Sequence, residues 1–237
     1  MEINGNLHYL NKIQLLHKYK EIEESKYGRM SKILSYNENE LLKLFEWNRQ
    51  YDKNKFEILS NININNFANP QKLIYILGRL YGYIMERKNG CMLFKLDPTI
   101  YLKNFFLNIN NVIKNIYELS NNNIILSDLH DQNILFDSIS NEIFIIDMDE
   151  YFINYKYNSC EEVYLKNLSI FFKSISTFLS INNHKYLEKI INKELLLGNC
   201  DGEDIFGKII NELENMIDSE IVTINDFKIA SNKLIKK

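Results

Sequence analysis

The stretch IILSDLHDQNILFDSISNEIFIIDMDEY, residues 124–151, decides how this chain is read. Three apolar residues, Ile124, Ile125 and Leu126, run into Asp128-Leu-His-Asp-Gln-Asn133. Ile134, Leu135 and Phe136 follow, then a turn, then a strand from Ile143 to Ile146 that ends on Asp147-Met-Asp149. Acidic and amide side chains therefore stand at the ends of buried strands, two of them within a hairpin's reach of each other. Carboxylates beside an apolar layer are costly unless a cation or a proton compensates them. Magnesium and a phosphate-bearing substrate are the usual reason.

Working outward, the residues on either side predict helices. Asp97-Pro98 reads as an N-cap followed by a first-turn proline. Leu102, Phe105, Phe106, Ile109, Val112, Ile113, Ile116 and Leu119 then recur at helical spacing, which predicts one long buried helix. On the other side, Leu165, Leu168, Phe171, Phe172, Ile175, Phe178 and Leu179 predict a second core helix. Residues 184–237 predict two or three amphipathic helices, the last opened by a Thr223-x-x-Asp226 box; Asp201-Gly-Glu-Asp204 reads as a turn and lacks the ligand pattern of a calcium loop.

Before Gly90 the pattern is that of short strands with one helix. Met30, Lys32 and Leu34 share one face of a strand. Asn37 is expected to cap a helix with Glu40 at the capping-box position, its apolar side carrying Leu41, Leu42, Leu44, Phe45 and Trp47. Two strands, 73–77 and 81–85, are expected to join through Gly78-Arg-Leu. The expected class is α+β: a small β-rich lobe over 1–87 and a mainly helical lobe over 88–237, in one compact domain.

Composition excludes several function classes. A net charge of -3 over 237 residues, with Lys and Arg scattered, implies no nucleic-acid partner. Three cysteines without C-x-x-C spacing suit free thiols in a reducing compartment and no zinc site. No run reaches the length of a membrane span and the N-terminus has no signal-like pattern, so a cytoplasmic protein with no membrane partner is expected.

Asp128-Leu-His-Asp-Gln-Asn133-Ile-Leu, followed by Asp147-Met-Asp149, resembles the catalytic loop and second metal aspartate of the protein-kinase-like superfamily. The form is that of aminoglycoside and choline phosphotransferases and of compact bacterial Ser/Thr kinases. The resemblance covers roughly residues 28–180 and implies a two-lobed fold that uses ATP and Mg2+. It implies Asp128 as the group that orients the attacking hydroxyl, with Asn133 and Asp147 holding magnesium. Lys32 would grip the phosphates, steadied by Glu46 on a helix, and the backbone of Met85, Glu86 and Arg87 would receive adenine. His130 would either touch the γ-phosphate or bond to backbone inside its loop, and Asp149 is a further metal ligand or a solvated acid.

The pattern departs from that family at Leu126-Ser127, in the lack of a legible glycine-rich loop before Lys32, and in the lack of an A-P-E segment. The reading favoured is transfer of the ATP γ-phosphate to a hydroxyl, on a protein Ser or Thr rather than a small molecule. The alternatives are a small-molecule kinase of the aminoglycoside or choline type and a non-catalytic kinase-like binding module. A third class, in which the strand-end D-x-D serves a dehalogenase-like phosphatase or a glycosyltransferase, fits poorly with helices after the motif.

Overall fold

Alternating and continuous apolar runs give strands in the first third of the chain, and helical periodicity takes over near residue 100. A computed structural model describes residues 2–3, 6–7, 20–21, 31–46, 51–76, 78–156, 159–181 and 184–235. The expectations for Arg29, Met30, Trp47 and most of residues 5–26 lie outside the described residues. The chain divides into two units, residues 1–63 with 68–88, and residues 64–67 with 89–237. The α+β class expected from the sequence, β-rich first and helical second, is what the structure contains.

Among the described residues, the first unit is a seven-stranded antiparallel sheet with one helix. Its strands are β1 (Glu2–Ile3), β2 (Asn6–Leu7), β3 (Lys20–Glu21), β4 (Ser31–Ser35) and β5 (Glu40–Phe45), followed by the helix α1 (Lys53–Asn61), β6 (Pro70–Ile76) and β7 (Arg79–Glu86). Their order across the sheet is β2-β1-β6-β7-β5-β4-β3. Leu34, Leu42, Leu44, Ile74, Tyr81 and Ile84 make one buried cluster. Phe45, Tyr51, Phe56 and Tyr83 make an aromatic cluster, with Phe45 and Tyr51 stacked at 3.8 Å and Phe45 reaching Phe56 of α1 at 5.1 Å. Gly82 lies opposite Leu44, and a Cβ there would stand 2.2 Å from the Lys43 carbonyl oxygen, so only glycine lets β7 approach β5.

The helix expected after Asn37 is instead the second strand of a hairpin. One capping-box bond does form, with Asn37 Oδ1 accepting from the Glu40 N–H at 2.8 Å, while the Glu40 carboxylate accepts from the Asn37 side-chain Nδ2 at 2.5 Å and not from its backbone N–H. They close the β4–β5 turn, because the same side-chain mimicry of backbone serves turns and helix caps alike. β5 is central in the sheet, paired to β4 and β7 and buried on both faces. A strand covered on both faces reads as a continuous apolar run, which periodicity cannot separate from a helix. The helix described in this unit is α1, capped by Asp52, which accepts from the Asn54 N–H at 3.0 Å.

The second unit contains β8 (Cys91–Met92), a short 3-10 turn, α2 (Leu102–Phe106), α3 (Ile109–Asn121), β9 (Ile124–Ile125), β10 (Ile134–Asp137), β11 (Glu142–Ile145) and β12 (Phe152–Ile153). Four helices follow: α4 (Cys160–Phe178), α5 (Lys185–Leu196), α6 (Gly202–Ile217) and α7 (Ile224–Ile235). The single long helix expected from residue 97 is two, broken at Leu107–Asn108. Asp97 closes a turn by accepting from the Thr99 N–H and hydroxyl at 2.9 and 2.7 Å, and the first helical turn begins five residues later. Asp201 is likewise a helix cap, accepting from the Asp204 N–H at 3.0 Å, where a plain turn was expected.

The Thr223-x-x-Asp226 box is formed reciprocally: Asp226 Oδ2 accepts from the Thr223 N–H at 2.9 Å, and Thr223 Oγ1 accepts from the Asp226 N–H at 3.1 Å. α3 is the centre of the unit, packed on α4, α6 and β9. Phe106 stacks on Phe206 at 4.4 Å, and Phe105 reaches Phe136 and Phe178. Cys91, Cys160 and Cys200 are free thiols, as the sequence suggests. No described helix is long and apolar enough to cross a membrane.

Candidate active site

The loop after β9 is held by buried polar side chains of the helix α4. Asn167 of α4 is fully buried; its Oδ1 accepts from the Leu126 N–H at 2.9 Å, and its Nδ2 donates to Ser120 Oγ at 2.9 Å and to the Ile124 carbonyl at 2.8 Å. One turn or more along the same stripe, Ser174 Oγ donates to the Leu129 carbonyl at 2.6 Å. Asn167 and Ser174 are the site-forming residues that the sequence reading passed over. Their signal was polar identity at positions in register with Phe171 and Phe178, on a stripe otherwise apolar.

On this support the loop places Asp128 at φ 59° with its side chain 59% exposed. A left-handed backbone at a non-glycine residue is uncommon and is held only where the surroundings enforce it. Part of that enforcement comes from Asn133, whose Nδ2 donates to the Asp128 carbonyl at 2.8 Å. Asn133 is itself buried, and its Oδ1 has no protein partner among the described residues.

The β10–β11 register fixes the third member. Ile134 lies opposite Ile145, so Asn133 falls opposite Ile146, and the Ile146 N–H donates to the Asn133 carbonyl at 2.9 Å. Asp147 follows at once, also left-handed at φ 61° and exposed. Hairpin register thus brings Asn133 and Asp147 together, while the loop turn brings Asp128 to Asn133.

His130 sits within the loop. The Gln132 N–H points at its Nδ1 at 3.2 Å, which makes Nδ1 an acceptor and puts the ring proton of the neutral form on Nε2, 4.0 Å from the Asp128 carboxylate. In that tautomer the 3.3 Å approach of Asn133 Nδ2 to Nε2 brings two donors together and is not a hydrogen bond. The ring thus accepts a backbone bond inside its own loop.

Asp149 is 8% exposed, which overturns the solvated-acid reading for it. Beside it Tyr151 is buried, and burial pushes its phenol far above the ordinary range, with the charges of Asp147 and then Asp128 acting in the same direction.

Among the described residues no three His, Cys, Asp or Glu side chains gather as a ready metal site. The donor set fits magnesium nonetheless. That ion keeps several waters and takes one or two carboxylates plus phosphate oxygens, and Asp147 with the Asn133 amide oxygen offers that hard, sparse set.

In the first unit, Lys32 is exposed on β4, and Glu46 is exposed directly after β5 and is not itself helical. Glu40 pairs with Lys72 at 3.2 Å. The acid on α1 is Glu57, 3.2 Å from Lys53 and within 3.4 Å of the Tyr75 hydroxyl. Among the described residues of the sheet, Lys43 is a buried lysine, 1% exposed, on the strand that precedes α1 and on the same face as Phe45. Met85 is buried and Glu86 exposed at the end of β7. The Arg87 N–H is already committed to the Asn39 carbonyl at 2.8 Å, and its guanidinium donates to Ser35 Oγ at 3.0 Å.

No protein-family model matches this chain, and none of the curated proteins matches it. Among solved structures, the Cydia pomonella granulovirus kinase PK-1 is similar, with 17% sequence identity and a TM-score of 0.47. The match covers 62% of this chain and 58% of that one.

Proposed function

We propose that this chain is an ATP- and magnesium-dependent phosphotransferase that moves the γ-phosphate to a hydroxyl, on a protein Ser or Thr in the first instance. The observation that carries the reading is the joint placement of Asp128, Asn133 and Asp147 by one loop and one hairpin, with both carboxylates exposed on left-handed backbone. Phosphoryl transfer asks for positioning and charge neutralisation more than covalent chemistry, and an exposed carboxylate, an amide oxygen and a second carboxylate are suited to that.

Magnesium, when bound, supplies neutralisation of phosphate charge. Asn133 Oδ1 and the Asp147 carboxylate would hold it, with Asp149 as an inward-facing acid behind them. Asp128 would accept and orient the proton of the attacking hydroxyl, and the His130 Nε2–H would steady that carboxylate. In the first unit, Lys43 replaces Lys32 as the lysine for the nucleotide phosphates. A buried ammonium is stable only with anionic or hydrogen-bonding company, and the central strand holds it rigidly. A cytoplasmic setting accords with three free thiols.

A thermal-melting titration with ATP, with and without magnesium, tests the reading on wild type and Asp147→Asn. A ligand at a hundred times its Kd adds about 2.7 kcal/mol, which a melting curve resolves. A magnesium-dependent shift that the variant loses is expected. Absence of any nucleotide shift in the wild type would leave a non-catalytic binding module as the better account.

A further inference from the structure

Tyr151 is the buried polar side chain of the site that the roles above leave unused. It is 2% exposed, and its hydroxyl is buried with no hydrogen-bond partner among the described residues. A buried hydroxyl normally finds a partner, and leaving one orphaned has a free-energy cost, so an orphan beside a functional cluster calls for an explanation. The main chain shows where it stands. Ile125 lies opposite Phe152 in the β9–β12 pairing, and Ser127 Oγ donates to the Glu150 carbonyl, so Tyr151 falls opposite Leu126 at the root of the Asp128 loop. On its other side the Tyr151 N–H donates to the Met148 carbonyl at 3.2 Å, closing a tight turn that begins immediately after Asp147. Of the two exposed carboxylates, Asp147 acts on the phenol more strongly than Asp128.

We propose that Tyr151 is a positioning residue for Asp147, its hydroxyl donating to the Asp147 carboxylate once magnesium is bound. This rests on the phosphotransferase reading above. A carboxylate that gives one oxygen to a metal leaves the other for a donor behind it, and such donors fix the ligand's orientation. With its oxygen buried, Tyr151 cannot itself touch a substrate, so its action passes through Asp147.

Tyr151→Phe tests this by thermal melting, using a non-hydrolysable ATP analogue and a magnesium titration. The unloaded variant is expected to melt at or above the wild-type temperature, since an orphaned hydroxyl is removed. The magnesium midpoint for the nucleotide-induced shift should rise by about ten- to a hundredfold, the range for loss of a group that orients a metal ligand. The shift produced by the analogue in EDTA should be unchanged. An unaltered magnesium midpoint would overturn the proposal. So would an unloaded variant that melts lower, because the hydroxyl would then have had a partner without the metal. A wild type insensitive to both analogue and magnesium overturns the phosphotransferase reading itself, and this proposal with it.

Discussion

Asn133 donates through its side-chain amide to the main-chain carbonyl of Asp128 at 2.8 Å, so one residue both shapes the loop and leaves an oxygen for a cation. Asn133→Ala removes both services. Transfer should fall by about ten- to a hundredfold, and urea unfolding should show a loss of about 1 kcal/mol. Asp128→Ala should instead cut transfer by about 10²–10⁴-fold while the melting response to ATP and magnesium persists. Unchanged turnover in Asp128→Ala would remove that residue from its role.

Lys43 and Lys32 make opposing claims on the same task. Lys43 is buried on the strand before α1, and Lys32 is exposed on the neighbouring strand. Lys43→Met should weaken ATP binding about tenfold or more, equivalent to about 1.4 kcal/mol, and Lys32→Met should leave it unchanged. Isothermal calorimetry on the two variants decides between them; loss in Lys32→Met alone would return the role to β4.

Asn167 makes three buried hydrogen bonds, to Leu126, Ser120 and Ile124. Asn167→Leu takes the partner from the Leu126 N–H and from the Ile124 carbonyl, at about 1–3 kcal/mol for each unsatisfied group, while Ser120 Oγ keeps its bond to the Ile116 carbonyl at 2.8 Å. A drop in the urea midpoint with an unchanged m-value is expected, since the compactness of the two end states is not the target. A stability equal to wild type would show that water or a neighbour replaces the amide.

Asp226 should contribute an acid-sensitive share of stability. Its bonds from the Thr223 N–H and hydroxyl, with a weaker one from Val222, hold its carboxyl below the usual carboxylate range. A depressed folded-state pKa gives stabilisation that is complete above the unfolded value of about 3.9 and is lost as pH falls through the folded value. Melting temperature measured from pH 6 downward should therefore fall below about pH 4, less steeply in Asp226→Asn, which keeps a cap without the titration. Parallel slopes would place the acid sensitivity elsewhere, for instance at Asp201, whose bonds from the Asp204 N–H and Asn110 lower it in the same way.

The sequence by itself determined the helical stripes of the second unit, the Thr223–Asp226 box, and the hairpin that follows Asn133. These are local or strictly periodic features: a side chain three residues away, a stripe of 3.6, an alternation across a short turn. Tertiary structure decided what has no period. Glu40–Phe45 became a strand because a place in the middle of the sheet buries both its faces, and that place is defined by β7, some forty residues later in the chain. The same placement buries Lys43 and leaves Glu46 directly after a strand. Asn167 holds a loop forty residues before it, and Tyr151 lies opposite Leu126 only through the β9–β12 pairing. Such partners are chosen by burial of polar groups that must find one another inside a packed unit, and no window of sequence contains both halves of the choice.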